Sequence, residues 1–461
     1  MNQSENAHPS EKKSPNLKSS ASLSCVLDVA FFISVLKLVT SPYIGWVMRA
    51  RKLLEHDSSR FDASPQNKIK FKSNSDLNLM ISYSTSGSIA SLSLEDICAK
   101  VSRNESSFRQ VELFFERLND VGLSRLSLCM SSNTTVTYML IQGCETGIQG
   151  LRALAAMLRR NRTLQYFFFN EDPDVSNEGV VILVNGLLDN DTVQAISFEQ
   201  LGISQSGAEA LGRLLARNPF IIEASFAQNP LRDGGIDIAN GLSLNRTLQV
   251  LSMPSCQLDS AEGVAILQAT LNHPSLKRLD LNNNNLGSEI SESLERLLLT
   301  NTNLDTLKVA GNNLGPPIAH VLARSLVLNT VLENLEVGRN RFGPSGAEAL
   351  GRNLPLMVGL KDICLLGNSF GDEGYRFIAA GLQGNRNIVK ANIGSIDETP
   401  VLVYFAAKFY ERRNNIAWKI LEDPDLSSGL WPLIFVKLRH EPEMIYFFLR
   451  ERPTLISSPK G

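Results

Sequence analysis

The sequence predicts an α/β solenoid: a horseshoe with a parallel sheet along its concave side, helices along its convex side and helical caps at its ends. Three observations carry that prediction. A residue pattern recurs about every 28 residues through the middle of the chain. Each copy places a short segment of strand period ahead of a segment of helical period. The 461 residues also exceed what one ordinary core organises, whereas stacked units extend a core one neighbour at a time.

The period is marked by an asparagine three residues ahead of an aliphatic anchor. It stands at Asn133, Asn161, Asn190, Asn218, Asn245, Asn301, Asn329 and Asn385, with His273 and Met357 in the two remaining slots. Asn104 marks an irregular first unit. Inside each unit runs L-x-x-L-x-L-x-x-N/C, clearest at Leu276, Leu279, Leu281, Asn284 and at Leu304, Leu307, Val309, Asn312. The central L-x-L alternates as a strand does, with both aliphatic residues inside and the one between them outside. The Asn or Cys that follows sits where the chain leaves the sheet, and its side chain can bond backbone groups that burial would leave unpaired. Asn229, Asn284, Asn312, Asn340 and Asn368 are therefore expected in one buried row, with Cys144 and Cys256 in the same slot. The second half of each unit, as in Gly207–Leu215, Glu262–Leu267 and Gly346–Leu350, carries small and aliphatic residues at helical spacing. The third unit is aromatic (Tyr166, Phe167, Phe168, Phe169) and its turn, 171–174, lacks the asparagine; Ile396 replaces it in the last unit.

These units resemble the leucine-rich repeats of the ribonuclease-inhibitor-like type, the form shared by Ran GTPase-activating proteins and the repeat domains of NOD-like receptors. The resemblance covers about 280 residues, 133–413. It implies the horseshoe fold and, because one scaffold serves inhibitors, activators and receptors, only a broad function. That function is a non-enzymatic scaffold holding a partner protein on the concave face. The alternative is a regulator of a small GTPase. The strongly acidic tail usual in the Ran activators is missing here, since 416–461 mixes Lys437, Arg439, Arg450 and Arg452 with Glu441, Glu443 and Glu451.

The flanks divide the rest of the chain. Residues 1–22 read as a disordered tail, and 23–87 as an apolar helix followed by linker. The stretch 23–48 is long enough for a membrane anchor, but Asp28, Lys37 and Ser41-Pro42 interrupt it and basic residues lie on both sides. It reads instead as a helix docking at the solenoid's N-terminal end. Residues 88–132 are expected to form the N-terminal cap and irregular first repeat, with Leu92, Leu94, Ile97 and Cys98, then Val111, Leu113, Phe114 and Leu118, read as helical faces. Residues 414–461 read as a helical C-terminal cap, with Trp418 and Trp431 expected against the last repeat.

No catalytic constellation emerges. The sequence contains no P-loop, G-x-S-x-G, H-E-x-x-H or dinucleotide fingerprint. Its five histidines are scattered, and its six cysteines include no CxxC pair, so no metal or cofactor is expected and reduced thiols point to the cytoplasm or nucleus. Sequons at Asn104, Asn133, Asn161, Asn190 and Asn245 follow from the repeat consensus itself. A net charge of −2 gives no field favouring nucleic acid. The candidate contact residues are those pointing outward from the strands. Tyr166 and Phe168 form an aromatic edge, and Arg278, Asp280, Lys308, Glu336 and Asp362 form a mixed-charge half, which suits a protein surface. Cys364 lies in the same outward row.

Overall fold

The computed structural model describes residues 92–114, 118–172, 175–395, 399–417, 420–421 and 431–452, all within the unit Ala90–Gly461. The stretch 23–48 and Trp418 lie outside the described residues. Three five-residue strands open the sheet: β1 (Gln110–Phe114), β2 (Tyr138–Gln142) and β3 (Tyr166–Asn170). Eight three-residue strands follow: β4 (Ala195–Ser197), β5 (Glu223–Ser225), β6 (Val250–Ser252), β7 (Arg278–Asp280), β8 (Thr306–Lys308), β9 (Asn334–Glu336), β10 (Asp362–Cys364) and β11 (Lys390–Asn392). They form one parallel sheet in chain order, so each crossover joins immediate neighbours.

A helix follows each of the first ten strands, and one precedes the sheet. They are α1 (Leu94–Ser102), α2 (Asp120–Ser131), α3 (Ile148–Arg160), α4 (Ser176–Leu187), α5 (Gln205–Arg217) and α6 (Gly234–Leu244), then α7 (Ser260–Leu271), α8 (Ser291–Thr300), α9 (Gly315–Ser325), α10 (Gly343–Asn353) and α11 (Gly371–Gly384). After β11 come α12 (Val401–Arg412), a π-helical turn (Arg413–Ala417), α13 (Trp431–Lys437) and α14 (Pro442–Glu451). The repeated leucines stack in register, Leu279 beside Leu307, Leu335 and Ile363. They belong to one apolar cluster that runs from Ile97 to Ala407. Small residues set the helix spacing. A Cβ on Gly241 would stand 2.2 Å from the carbonyl oxygen of Gly212, so α5 and α6 meet backbone to backbone.

Two stacks of polar side chains thread this apolar core. The first follows the strands. Asn340 Nδ2 donates to Val309 O at 2.8 Å and to Val337 O at 3.1 Å, and its Oδ1 accepts from Asn312 N at 2.8 Å. Asn368 repeats the arrangement one unit on, accepting from Asn340 N at 2.9 Å. Asn229, Asn312, Asn340 and Asn368 are buried, while Asn284 is half-buried. The thiols of Cys144 and Cys256 donate to Leu113 O and Phe226 O from the same slot, and burial pushes Cys256 up to about 12. In the third unit Asp172 fills the slot: its Oδ2 accepts from both the N–H and the hydroxyl of Thr146 at 2.8 Å. The residue just before the slot is left-handed throughout, from Gln228 and Ser255 to Arg339 and Gly367. That conformation swings the chain out of the sheet.

The second stack is made of the unit-start asparagines. Asn385 Nδ2 donates to Leu354 O at 2.7 Å and Met357 O at 3.1 Å, and its Oδ1 accepts from Asn387 N and Ile388 N, each at 2.8 Å. One side chain thus closes carbonyls left open at the preceding helix C-terminus and pins the start of the next strand. Asn133, Asn161, Asn190 and Asn245 are buried in the same role, so these four sequons hold their side-chain nitrogens inside the fold.

Two expectations are corrected. Val111, Leu113 and Phe114 lie in β1 rather than on a helix. Val111 and Leu113 alternate inward and pair beside Met139 and Ile141 of β2; spacing by two is the strand signal that the helical reading overlooked. Trp431 is buried, but in a separate cluster with Ala417, Leu421, Met444, Phe447 and Phe448, not in the core of the last repeat. The tail's aromatic residues are numerous enough to build their own small core. That cluster meets Phe409 of α12 through the edge of Phe447, 6.5 Å between ring centres, and Arg413 and Asn414 add polar contacts by donating to the carbonyls of Leu382, Gln383, Asn385 and Ile388.

Candidate functional site

Strand alternation turns every second residue away from the helices, and the parallel register aligns these residues in two rows. One row runs Gln110, Tyr138, Tyr166, Ala195, Glu223, Val250, Arg278, Thr306, Asn334, Asp362, Lys390. The other runs Glu112, Leu140, Phe168, Ser197, Ser225, Ser252, Asp280, Lys308, Glu336, Cys364, Asn392 over the same pairs. All seven candidate contact residues lie on this open face.

Their chemistry divides the face. At the N-terminal end, Tyr138 meets the edge of Phe168 at 5.4 Å between ring centres and tilts against Tyr166 at 6.3 Å. Phe168 is only 7% exposed, so Tyr138 and Tyr166 present the aromatic surface, with the aliphatic Leu140 beside them. Burial, with Glu112 nearby, pushes the Tyr138 hydroxyl up to about 12, and it stays a neutral hydrogen-bonding group at physiological pH. Beside this edge, Ser197 Oγ donates to Asn170 Oδ1 at 2.9 Å and Ser225 Oγ donates to Glu199 Oε1 at 2.5 Å.

In the C-terminal half the charges answer one another across strands. Arg278 stands 3.6 Å from Glu223. Lys308 lies between Asp280 at 3.6 Å and Glu336 at 3.7 Å, and Lys390 contacts Asp362 at 2.8 Å. Burial raises the carboxyls of Glu223 and Asp280 above their ordinary range, with Arg278 opposing it at Glu223 and the Asn282 N–H and Lys308 at Asp280. Burial also raises the Cys364 thiol, which leaves it protonated and a poor nucleophile. Among the described residues no cluster of His, Cys, Asp and Glu could hold a metal ion, and no helix is long and apolar enough to cross a membrane.

Sequence reasoning began the aromatic edge one unit late. Tyr138 stands 28 residues ahead of Tyr166, and Leu140 as far ahead of Phe168, so the repeat itself held the signal. Glu199 lies just beyond a strand end, where the alternation rule no longer assigns a face, and only the fold brings it to Ser225.

Comparison with known proteins agrees with this architecture. Two family models described as leucine-rich repeats match residues 275–297 and 328–351. Pig (Sus scrofa) ribonuclease inhibitor is 25% identical over 197 residues, 42% of this chain and 43% of that one. Human (Homo sapiens) NACHT, LRR and PYD domains-containing protein 5 is 26% identical over 187 residues, 39% of this chain and 15% of that one. The matches therefore span less than half the length of these relatives. Among solved structures, the leucine-rich repeat-containing protein LegL7 from Legionella pneumophila aligns over 66% of this chain and 98% of its own, at 15% identity and a TM-score of 0.43. With its in-register strands, alternating helices and 28-residue asparagine period, the chain is a leucine-rich-repeat solenoid similar to the ribonuclease inhibitors.

Proposed function

We propose that this protein is a non-enzymatic scaffold whose open sheet face, expected to be the concave one, binds a partner protein. The observation that carries the reading is the composition of that face: an apolar end at Tyr138, Leu140 and Tyr166 passes into alternating acids and bases from Glu223 to Lys390. Aromatic anchors beside paired, orientable charges suit a protein surface, whereas a phosphate backbone calls for basic excess. The name of the ribonuclease inhibitor records a protein target for one relative.

The pairing within the face refines how contact is made. Arg278 and Lys308 already have carboxylate neighbours, so a partner must exchange ion pairs rather than find bare charges. Such pairs contribute more to specificity and association rate than to affinity. The anchoring energy then falls to the tyrosines. Capture from extract, quantified by mass spectrometry, tests the reading. Arg278→Ala with Glu336→Ala, and separately Tyr138→Ala with Tyr166→Ala, should lose a common set of proteins. The helix-side pair Arg296→Ala with Glu348→Ala should retain that set, and all variants should melt near the parent temperature. Retention by both face variants and loss by the helix-side pair would reject the open face as the binding surface.

A further inference from the structure

A second surface runs along the edge where each helix hands over to the next strand. The unit-start residues Asn218, Asn245, His273, Asn301, Asn329 and Met357 are buried inside this edge. Bonds from Asn245 to Leu215 O, from Asn301 to Thr270 O and from Asn329 to Leu298 O tie successive units together there. The residues beside each unit start are consequently pushed out onto a common rim. Phe220, Leu244, Leu299, Leu328, Leu356 and Val358 stand on it, each between 46% and 71% exposed. Single exposed leucines are ordinary on a soluble protein. Six large apolar side chains on one rim are a pattern.

The charges of the rim are as uneven as its hydropathy. Within two residues of those six unit starts there is no Asp or Glu, and the ionised side chains are Arg217 and Arg246, both exposed. Nearer the N-terminus the same edge is balanced: Arg159 lies 3.8 Å from Asp189, and Arg162 lies 3.1 Å from Asp191. From Pro219 onward the rim interleaves its apolar residues with Pro219, Pro274, Pro355, Thr300, Thr302 and Thr330. A second copy laid on the section from Phe220 to Val358 would bury Arg246 with no Asp or Glu within two residues of that section's unit starts to meet it, although Arg217, at its end, shares a hollow with Asp189. A lipid surface needs neither a shaped groove nor a counter-residue. It accepts projecting aliphatic and aromatic side chains below its headgroups and offers phosphates to the arginines.

We infer that the rim from Phe220 to Val358 rests on an anionic lipid bilayer, inserting Phe220, Leu244, Leu299, Leu328, Leu356 and Val358 while Arg217 and Arg246 contact headgroup phosphates. This is contact with one leaflet. The outward residues of the sheet take no part in it, so the inference stands independently of the partner-binding face.

Co-sedimentation of the full chain with vesicles of phosphatidylcholine alone, and of phosphatidylcholine with phosphatidylserine, tests it. The parent should bind the serine-containing vesicles more tightly, and less so as salt rises. Leu244→Ser with Leu328→Ser and Leu356→Ser should weaken binding to them about tenfold or more. Arg217→Gln with Arg246→Gln should reduce the preference for phosphatidylserine by roughly tenfold. Both variants should keep the parent's melting temperature. Three results would each overturn the inference: no binding by the parent to either vesicle; undiminished binding by the leucine variant, which would place the lipid contact elsewhere in the chain; or a dimer in sedimentation velocity that the leucine variant dissolves, which would make a second copy the occupant.

Discussion

Asn385 and Arg413 occupy successive unit-start positions, 28 residues apart, and they face the same problem with different chemistry. Asn385 donates to the carbonyls of Leu354 and Met357, which lie 31 and 28 residues behind it. Arg413 donates to those of Leu382 and Asn385, at the same two offsets, with a third bond to Gln383 O. Both close the C-terminal end of the helix one unit back, α10 for Asn385 and α11 for Arg413, where a guanidinium also meets the negative end of the helix dipole. Asn385 additionally accepts from the N–H groups of Asn387 and Ile388 and so launches β11. A guanidinium has donors only. Among the described residues no strand follows Arg413; the chain goes on as a π-helical turn, and Asn414 bonds Asn385 O and Ile388 O. A repeat array can therefore end where a donor-and-acceptor residue gives way to a donor-only one.

The largest test removes the last rung. Arg413 is buried, burial lowers it to about 10, and the Tyr410 ring lies 5.0 Å from its guanidinium. Arg413→Met should take the donor from Gln383 O and one of two donors from Leu382 O and Asn385 O, and lower stability by about 3 kcal/mol in urea unfolding. Arg413→Asn, which keeps two N–H donors at the position that asparagine fills in the preceding units, should cost clearly less. Equal losses from the two substitutions would show that packing rather than the rung matters.

An interior rung gives the next effect. Asn312→Ala should cost about 1–2 kcal/mol: Leu281 O and Ala310 O each lose one of two donors, keeping Asn284 Nδ2 and the Asn283 N–H, and Leu286 N loses its side-chain acceptor inside the core. The half-buried Asn284 should lose less on the same change. Reversal of that order in parallel melts would break the link between burial and rung strength.

The smallest effect is a gain. His273 accepts from Ser275 N and Leu276 N through Nδ1, but its buried Nε2 has no partner among the described residues. Burial, with Arg246 nearby, lowers its pKa from 6.5 to about 4. The unfolded chain therefore takes up the proton first as pH falls, and the stability from this neutral imidazole is present above about 6.5 and lost progressively down to about 4. His273→Asn should supply the missing donor, raise stability near neutrality by about 1 kcal/mol and flatten the pH dependence of unfolding across that window. An unchanged slope would place the acid sensitivity at another group.

What the sequence determined by itself is whatever repeats. The 28-residue period and the L-x-L alternation specify strand, helix, register and both asparagine stacks, because each unit meets the same neighbours and any residue that departs from the period breaks a bond there. For the same reason the two outward rows, and with them all seven candidate residues, could be assigned before any coordinates. Tertiary structure decided what happens where the period stops. It placed Val111 and Leu113 in a strand because β2 was there to pair with them, put Asp172 against Thr146 across 26 residues, and gave the tail a core of its own around Trp431. It also decided how charges are met: the neighbours of Arg278 and Lys308 lie on other strands, and electrostatic partnership depends on distance in space, which a single unit's sequence does not encode.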